Sequence, residues 1–198
     1  KVVVAIGGST GGPKVLEEVF RNLPANLPAA VMVSLHMPAG FTNSFADRLN
    51  QLSRLEVKEA RDGDPILEGV ALIAPGGYHL IEKNRSAALS LGPKVHYVRP
   101  AVDVMLQSLA DSNYRVMAVI LTGMGQDGTA GVKILKRRKP GSVIIVQDPQ
   151  TSIIPSMPDS VIANGCYDEI VPLPVLAGRI VKHARELATD NFSEDVQT

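Results

Sequence analysis

The run from Lys1 to Ile6 (Lys-Val-Val-Val-Ala-Ile) constrains the fold more than any other segment. It is largely β-branched, shows no polar alternation and stops at Gly7-Gly8. A strand with one wet face alternates apolar and polar side chains. A run without alternation fits a strand covered on both faces, as in a parallel sheet. Parallel strands need a long crossover, usually a helix. The sequence supplies one: Pro13 suits a first helical turn, and Val15, Leu16, Val19 and Phe20 recur at helical spacing.

The same rhythm continues. Ala30 to Leu35 reads as a second strand, and Thr42 is placed to cap a helix carrying Phe45, Leu49 and Leu52. Between Glu56 and Leu91, breakers such as Asp62-Gly63-Asp64 and Pro75-Gly76-Gly77 separate short apolar runs. These predict short strands, as hairpins inserted into the main pattern. A helix over 101–112, a strand over 116–121, a helix over 127–139, a strand over 142–146 and a helix over 173–187 follow. The expected fold is α/β: a doubly wound, mostly parallel sheet with helices on both faces and an inserted β-hairpin region. Residues 1–188 are expected to form one domain, and 189–198 a polar, frayed tail. In such sheets function collects beyond the carboxyl ends of the strands.

Composition narrows the function classes. Twenty Lys and Arg balance twenty Asp and Glu, so no global field draws in nucleic acid or anionic lipid. The basic run Lys133, Lys136, Arg137, Arg138 and Lys139 reads as a solvated helix end. The single cysteine, Cys166, excludes an internal disulfide, and no Cys/His cluster has zinc spacing. No metal or cofactor is expected. No apolar stretch approaches membrane-spanning length and no signal peptide is visible. The start at Lys1, inside an apolar run, reads as a cut end with something once upstream.

Gly7-Gly8-Ser9-Thr10-Gly11 fits G-x-S-x-G, with a strand before and a helix after. Such a turn projects the serine hydroxyl from the sheet edge, and the helix N-terminus offers N–H groups to an oxyanion. The Thr10 N–H, directly after the serine, is the first candidate donor. A phosphate loop or a plain structural turn competes with this reading. Against the phosphate loop, Pro13 stands where its pattern needs lysine.

A nucleophilic serine needs a base and an orienting acid. His36 directly follows the second strand, on the edge where Ser9 lies. His183 is expected to be exposed, and His79 and His96 to be wall residues in the inserted region. Asp127 lies in the glycine-rich turn Leu121 to Gly128 and is expected at the N-terminus of its own helix. A simple N-cap is the competing role for it. Asp62, Asp64 and Asp103 follow no parallel strand in this way. The order Ser, His, Asp differs from the Ser, Asp, His order of α/β-hydrolases.

Five stretches carry a resemblance: Ala5 to Gly12, His36 to Thr42, Ile73 to Gly76, Arg99 to Asp103, and Leu121 to Gly128. In this order they resemble the catalytic domain of bacterial chemotaxis protein-glutamate methylesterases. The resemblance implies a triad of Ser9, His36 and Asp127. It implies hydrolysis of glutamate methyl esters on cytoplasmic helices of chemoreceptors, releasing methanol, and deamidation of receptor glutamines. It also implies a cytoplasmic protein whose N-terminal receiver domain covers the site until phosphorylated; no receiver pattern is present here. A second oxyanion donor is expected from the Met124 backbone, and Arg99 is either a substrate-binding pocket wall or a surface residue. Two positions depart from the family: Val98 replaces a frequent histidine, and Ser156 replaces a usual glycine before Met157-Pro158.

Overall fold

The computed structural model describes residues 1–189. In chain order the elements are β1 (Val2–Gly8), α1 (Gly12–Asn22), β2 (Ala30–Leu35), α2 (Thr42–Leu52), β3 (Glu56–Glu59), β4 (Val70–Ile73), β5 (His79–Lys83) and β6 (Ser86–Ser90). They continue with α3 (Val102–Ala110), β7 (Arg115–Ile120), α4 (Thr129–Arg138), β8 (Val143–Gln147), α5 (Ser156–Ala163), β9 (Glu169–Val171) and α6 (Leu173–Thr189). The expected tail from Thr189 falls outside the described residues, except that Thr189 itself closes α6.

Seven strands form one sheet in the order β3-β4-β2-β1-β7-β8-β9, and every pairing in it is parallel. Only β5 and β6 stand apart, as an antiparallel hairpin. The expectation that the whole stretch 56–91 is inserted is therefore corrected. β3 and β4 are not part of an insertion but complete one side of the main sheet. Local pattern reports that a strand exists, whereas its partner is set by the crossover.

The strands are buried on both faces, as the unbroken β-branched runs require. Val2, Val4 and Ile6 face one core with Leu16 and Phe20 of α1, Leu49 of α2 and Ile180 of α6. Val3 and Ala5 face the other, with Met105 and Leu106 of α3, Leu135 of α4 and Val161 of α5. Each such fully buried Val, Leu or Ile contributes about 1.5–3 kcal/mol relative to exposure. Leu80 and Ala87 pin the hairpin to the second core.

The order creates a switch point. From β1 the chain moves to β2 on one side and returns to β7 on the other. The loops after β1 and β7 therefore leave adjacent strands in opposite senses and open a crevice at their carboxyl ends. Ser9 and Met124 lie in those two loops.

Candidate active site

Ser9 follows β1 directly, and its N–H donates to the Thr122 carbonyl beyond β7 at 3.0 Å. This bond ties the serine turn across the switch point. Gly123 makes the approach possible: a Cβ there would lie 2.7 Å from Ser9 Cβ and 2.3 Å from the Met157 sulfur. The Ser9 hydroxyl makes no hydrogen bond among the described residues. The N–H groups of Thr10 and Met124 likewise have no acceptor there, so both remain available to an oxyanion.

His36 follows β2, and its backbone N–H donates to the Gly8 carbonyl at 3.2 Å. This fixes the base next to the serine turn. Its ring nitrogen Nε2 lies 2.7 Å from Asp127 Oδ2. A carboxylate accepts, so Nε2 carries the proton and Nδ1 is left unprotonated and free. In the neutral imidazole Nδ1 is the nitrogen left to accept a proton.

Asp127 is buried, in the loop before α4 rather than in its first turn; Gly128 at φ 104° is the N-cap. The expectation that Asp127 sits on its own helix is corrected. Its oxygens accept from the N–H groups of Val102 and Asp103 at 2.7 and 2.8 Å, so the carboxylate caps α3. One side chain thus both caps a helix and bonds the His36 ring. Burial works against its ionisation, but the hydrogen bonds from His36 and the two N–H groups outweigh it and hold the carboxyl below its ordinary range.

Asp103, set aside on the sequence, is the residue that reasoning missed. It is buried beside Asp127, and its Oδ1 accepts from Gly128 N–H at 2.9 Å and Gly131 N–H at 2.7 Å. Its Oδ2 lies 2.7 Å from His96 Nε2. The donor atoms of His96, Asp103 and Asp127 lie within 4.8 Å of one another. Both carboxylates already face N–H donors, so the cluster is not built as a cation cradle.

The other expectations fall out as follows. Thr42 opens α2, but its hydroxyl donates to Glu59 and accepts from Gly76 N–H instead of capping the helix. His79 is buried: Nδ1 accepts from Ala101 N–H at 3.1 Å and Nε2 donates to the Pro93 carbonyl at 2.8 Å. His183 is not freely exposed, being bonded to Glu169 at 2.9 Å. Lys136 and Arg138 of the basic run pair with Asp168 and Asp111. Arg99 donates through Nη1 to the carbonyls of Leu91 and Gly92 at 3.0 and 2.9 Å. It walls a cleft of about 430 Å³ with His36, Met37, Pro38, Lys94 and Tyr97. Ser9 is not in that wall; His36 joins the cleft to the serine turn.

A serine on a strand-to-helix turn, a histidine and a buried carboxylate at one edge of a parallel sheet define a candidate hydrolase site of α/β class. The chain belongs to the CheB methylesterase family, whose pattern matches residues 4–180. It is 46% identical over 186 residues to a protein-glutamate methylesterase/protein-glutamine glutaminase of Symbiobacterium thermophilum, covering 93% of this chain and 51% of that protein. A protein of the same description from Pyrococcus abyssi is 43% identical over 187 residues, with 92% and 50% covered. The chain thus spans about half the length of these curated relatives. The crystal structure of the Thermotoga maritima CheB methylesterase catalytic domain superposes with a TM-score of 0.86 at 42% identity, covering 91% of this chain and 97% of that one. Membership of this family decides against the phosphate-loop reading.

Proposed function

We propose that this chain is a serine hydrolase that removes methyl groups from glutamate esters on chemoreceptors and deamidates receptor glutamines. The observation that carries the reading is the His36–Asp127 pair at 2.7 Å, anchored beside Ser9 on one sheet edge of a CheB methylesterase family chain. Ser9 Oγ attacks the ester carbonyl as His36 Nδ1 takes its proton. The tetrahedral oxyanion is held by the N–H groups of Thr10 and Met124. Nδ1–H then protonates the leaving methoxide, giving methanol and an acyl-serine. Water, deprotonated by the same nitrogen, releases the glutamate. With a glutamine substrate the leaving group is ammonia and the steps are the same.

The surroundings support a macromolecular substrate. Phe41, Tyr97, Met124 and Ile153 are exposed on loops around this edge. Arg99 and Lys94 make the cleft wall cationic, which suits an acidic receptor helix. No helix of the described residues is long and apolar enough to cross a membrane. In the full-length protein, we propose that a receiver domain covers this edge; the doubled length of the relatives supports an additional domain.

Methanol release from methylated receptor membranes tests the reading. Ser9→Ala should abolish it, and a fluorophosphonate should label the native chain but not the variant. Methanol release unchanged in Ser9→Ala would overturn the proposal.

A further inference from the structure

A second histidine–carboxylate pair lies behind the first. His96 Nε2 meets Asp103 Oδ2 at 2.7 Å, as His36 Nε2 meets Asp127 Oδ2 at 2.7 Å. The two carboxylates are crossed between two helices. Asp127, in the loop before α4, caps α3; Asp103, in the first turn of α3, caps α4. The two buried negative charges are thus pressed together. Each helix N-terminus supplies roughly half a positive charge, so the two together offset only about one of the two negatives. The His96 imidazole, hydrogen-bonded to Asp103, is the group placed to offset the rest.

The geometry points to His96 as a positioning residue for the reaction: on Asp103, it neutralises the second carboxylate so that Asp127 acts on His36 as a single charge. The inference rests on the hydrolase reading of Ser9 and His36. Burial, with the neighbouring charge of Asp127 adding to it, pushes the Asp103 carboxyl up, so its ionised form needs such a partner. His96 sits at the tip of a two-residue turn with Tyr97, at φ 52° and 64°, closed by the mutual hydrogen bonds of Val95 and Val98. Left-handed backbone at two non-glycine residues is costly. Here it aims the imidazole back at α3. Other ionisable groups around the pair are few. From α4, Lys133 borders the same small cavity as His96. From β5, His79 is spent on the Ala101 N–H and the Pro93 carbonyl. From the loop after β2 comes His36 itself, on Asp127.

Removing the His96 imidazole leaves the Asp103 carboxylate without its side-chain partner, a second negative charge close to the His36–Asp127 pair. That charge favours imidazolium over the neutral imidazole the base step needs. The acid limb of the pH–rate profile must then move to higher pH. The test uses the rate at which a fluorophosphonate labels Ser9, measured from pH 5 to 9, together with ester hydrolysis over the same range. His96→Asn removes the imidazole while suiting the left-handed backbone; His96→Lys supplies a positive charge at the same place. We expect His96→Asn to shift the limb upward by about half to one pH unit, a roughly three- to tenfold slower reaction below the limb and equal rates above it. His96→Lys should keep the native limb or move it lower. An unmoved limb in His96→Asn, or the same upward shift in both variants, would overturn the inference alone. Absence of Ser9-dependent labelling in the native protein would overturn the hydrolase reading and the inference with it.

Discussion

Asp103 and Asp127 cap each other's helices. The carboxylate of Asp127 accepts from Val102 and Asp103 at the start of α3, and that of Asp103 accepts from Gly128 and Gly131 at the start of α4. Each helix is thereby anchored by the segment that launches the other. The arrangement holds the candidate triad acid in a buried, hydrogen-bonded seat. It also makes the acid structural as well as chemical.

Asp127→Asn should separate these roles. An amide there presents either a second donor to Nε2–H and the Val102 N–H, or an acceptor for those two whose NH2 then opposes the Asp103 N–H. The ring is then driven toward the Nδ1–H tautomer, in which Nδ1 no longer accepts a proton. We expect turnover to fall by about 10⁴-fold, with a stability loss of about 1–3 kcal/mol from the disturbed α3 cap. Activity assays and urea unfolding of the variant check both; activity within tenfold of native would remove Asp127 from the mechanism.

Asp103→Asn should change how stability depends on pH. Burial raises this carboxyl above its ordinary 3.8, so the folded protein binds its proton more tightly than the unfolded chain does. Its cost is absent below the ordinary value, grows as pH rises from there through the raised folded value, and is constant above. Asparagine cannot ionise and keeps an oxygen for Gly128 and Gly131. Across that window Asp103→Asn should gain stability on the native protein by at most about 1.4 kcal/mol per pH unit. Urea titrations between pH 3.5 and 7 measure the difference, and a constant offset would refute it. Asp127 behaves oppositely: with its folded value lowered, its stabilisation is full above the ordinary range and is lost only as pH falls through that lower value.

Gly123→Ala should cripple the site more than the fold. The new methyl group would meet Ser9 Cβ, Ser9 N and the Met157 sulfur, all under 3.0 Å. Met157 can shift its flexible side chain, but the serine turn has no such freedom. A stability cost of about 1–3 kcal/mol is expected. Displacing Ser9 by a fraction of an ångström should lower turnover by roughly a hundredfold. A folded variant with native labelling by fluorophosphonate would show that the turn tolerates the shift.

Arg99→Ala should act on substrate binding. The guanidinium bridges the Leu91 and Gly92 carbonyls and faces the cleft next to His36, yet touches neither Ser9 nor Asp127. KM for methylated receptor should rise severalfold while kcat stays within about twofold. Both carbonyls are held by the single nitrogen Nη1, so Arg99→Lys, whose ammonium also donates more than once, should recover part of the native KM. Steady-state kinetics on receptor membranes decide this; a loss confined to kcat would place Arg99 elsewhere in the reaction.

Much of the sheet was legible because its signals are local. β1, β2, β7 and β8 announce themselves as unbroken β-branched runs, and the glycine turns after β1 and β7 mark where they end. β9, three residues long, carries too little pattern to be seen, and α5 hides behind Pro158 in its first turn. β3, with Val57 its one apolar residue, carries no run to read, and β4 reads as a strand of an insertion because pairing partners are not written in a strand's own residues.

Of the candidate site, the sequence by itself determined three positions: a serine, a histidine and an aspartate, each just beyond a strand that hydrophobic patterning places in one parallel sheet. That inference needs only short-range chain geometry, since the end of a strand fixes the edge at which the next residue lies. The tertiary structure alone decided which imidazole nitrogen meets Asp127, that Asp127 caps a helix other than its own, and that Asp103 and His96 stand behind it. These depend on how α3 and α4 cross over the sheet. Residues 24 positions apart in the chain meet there at 2.8 Å, and no local pattern encodes such a contact.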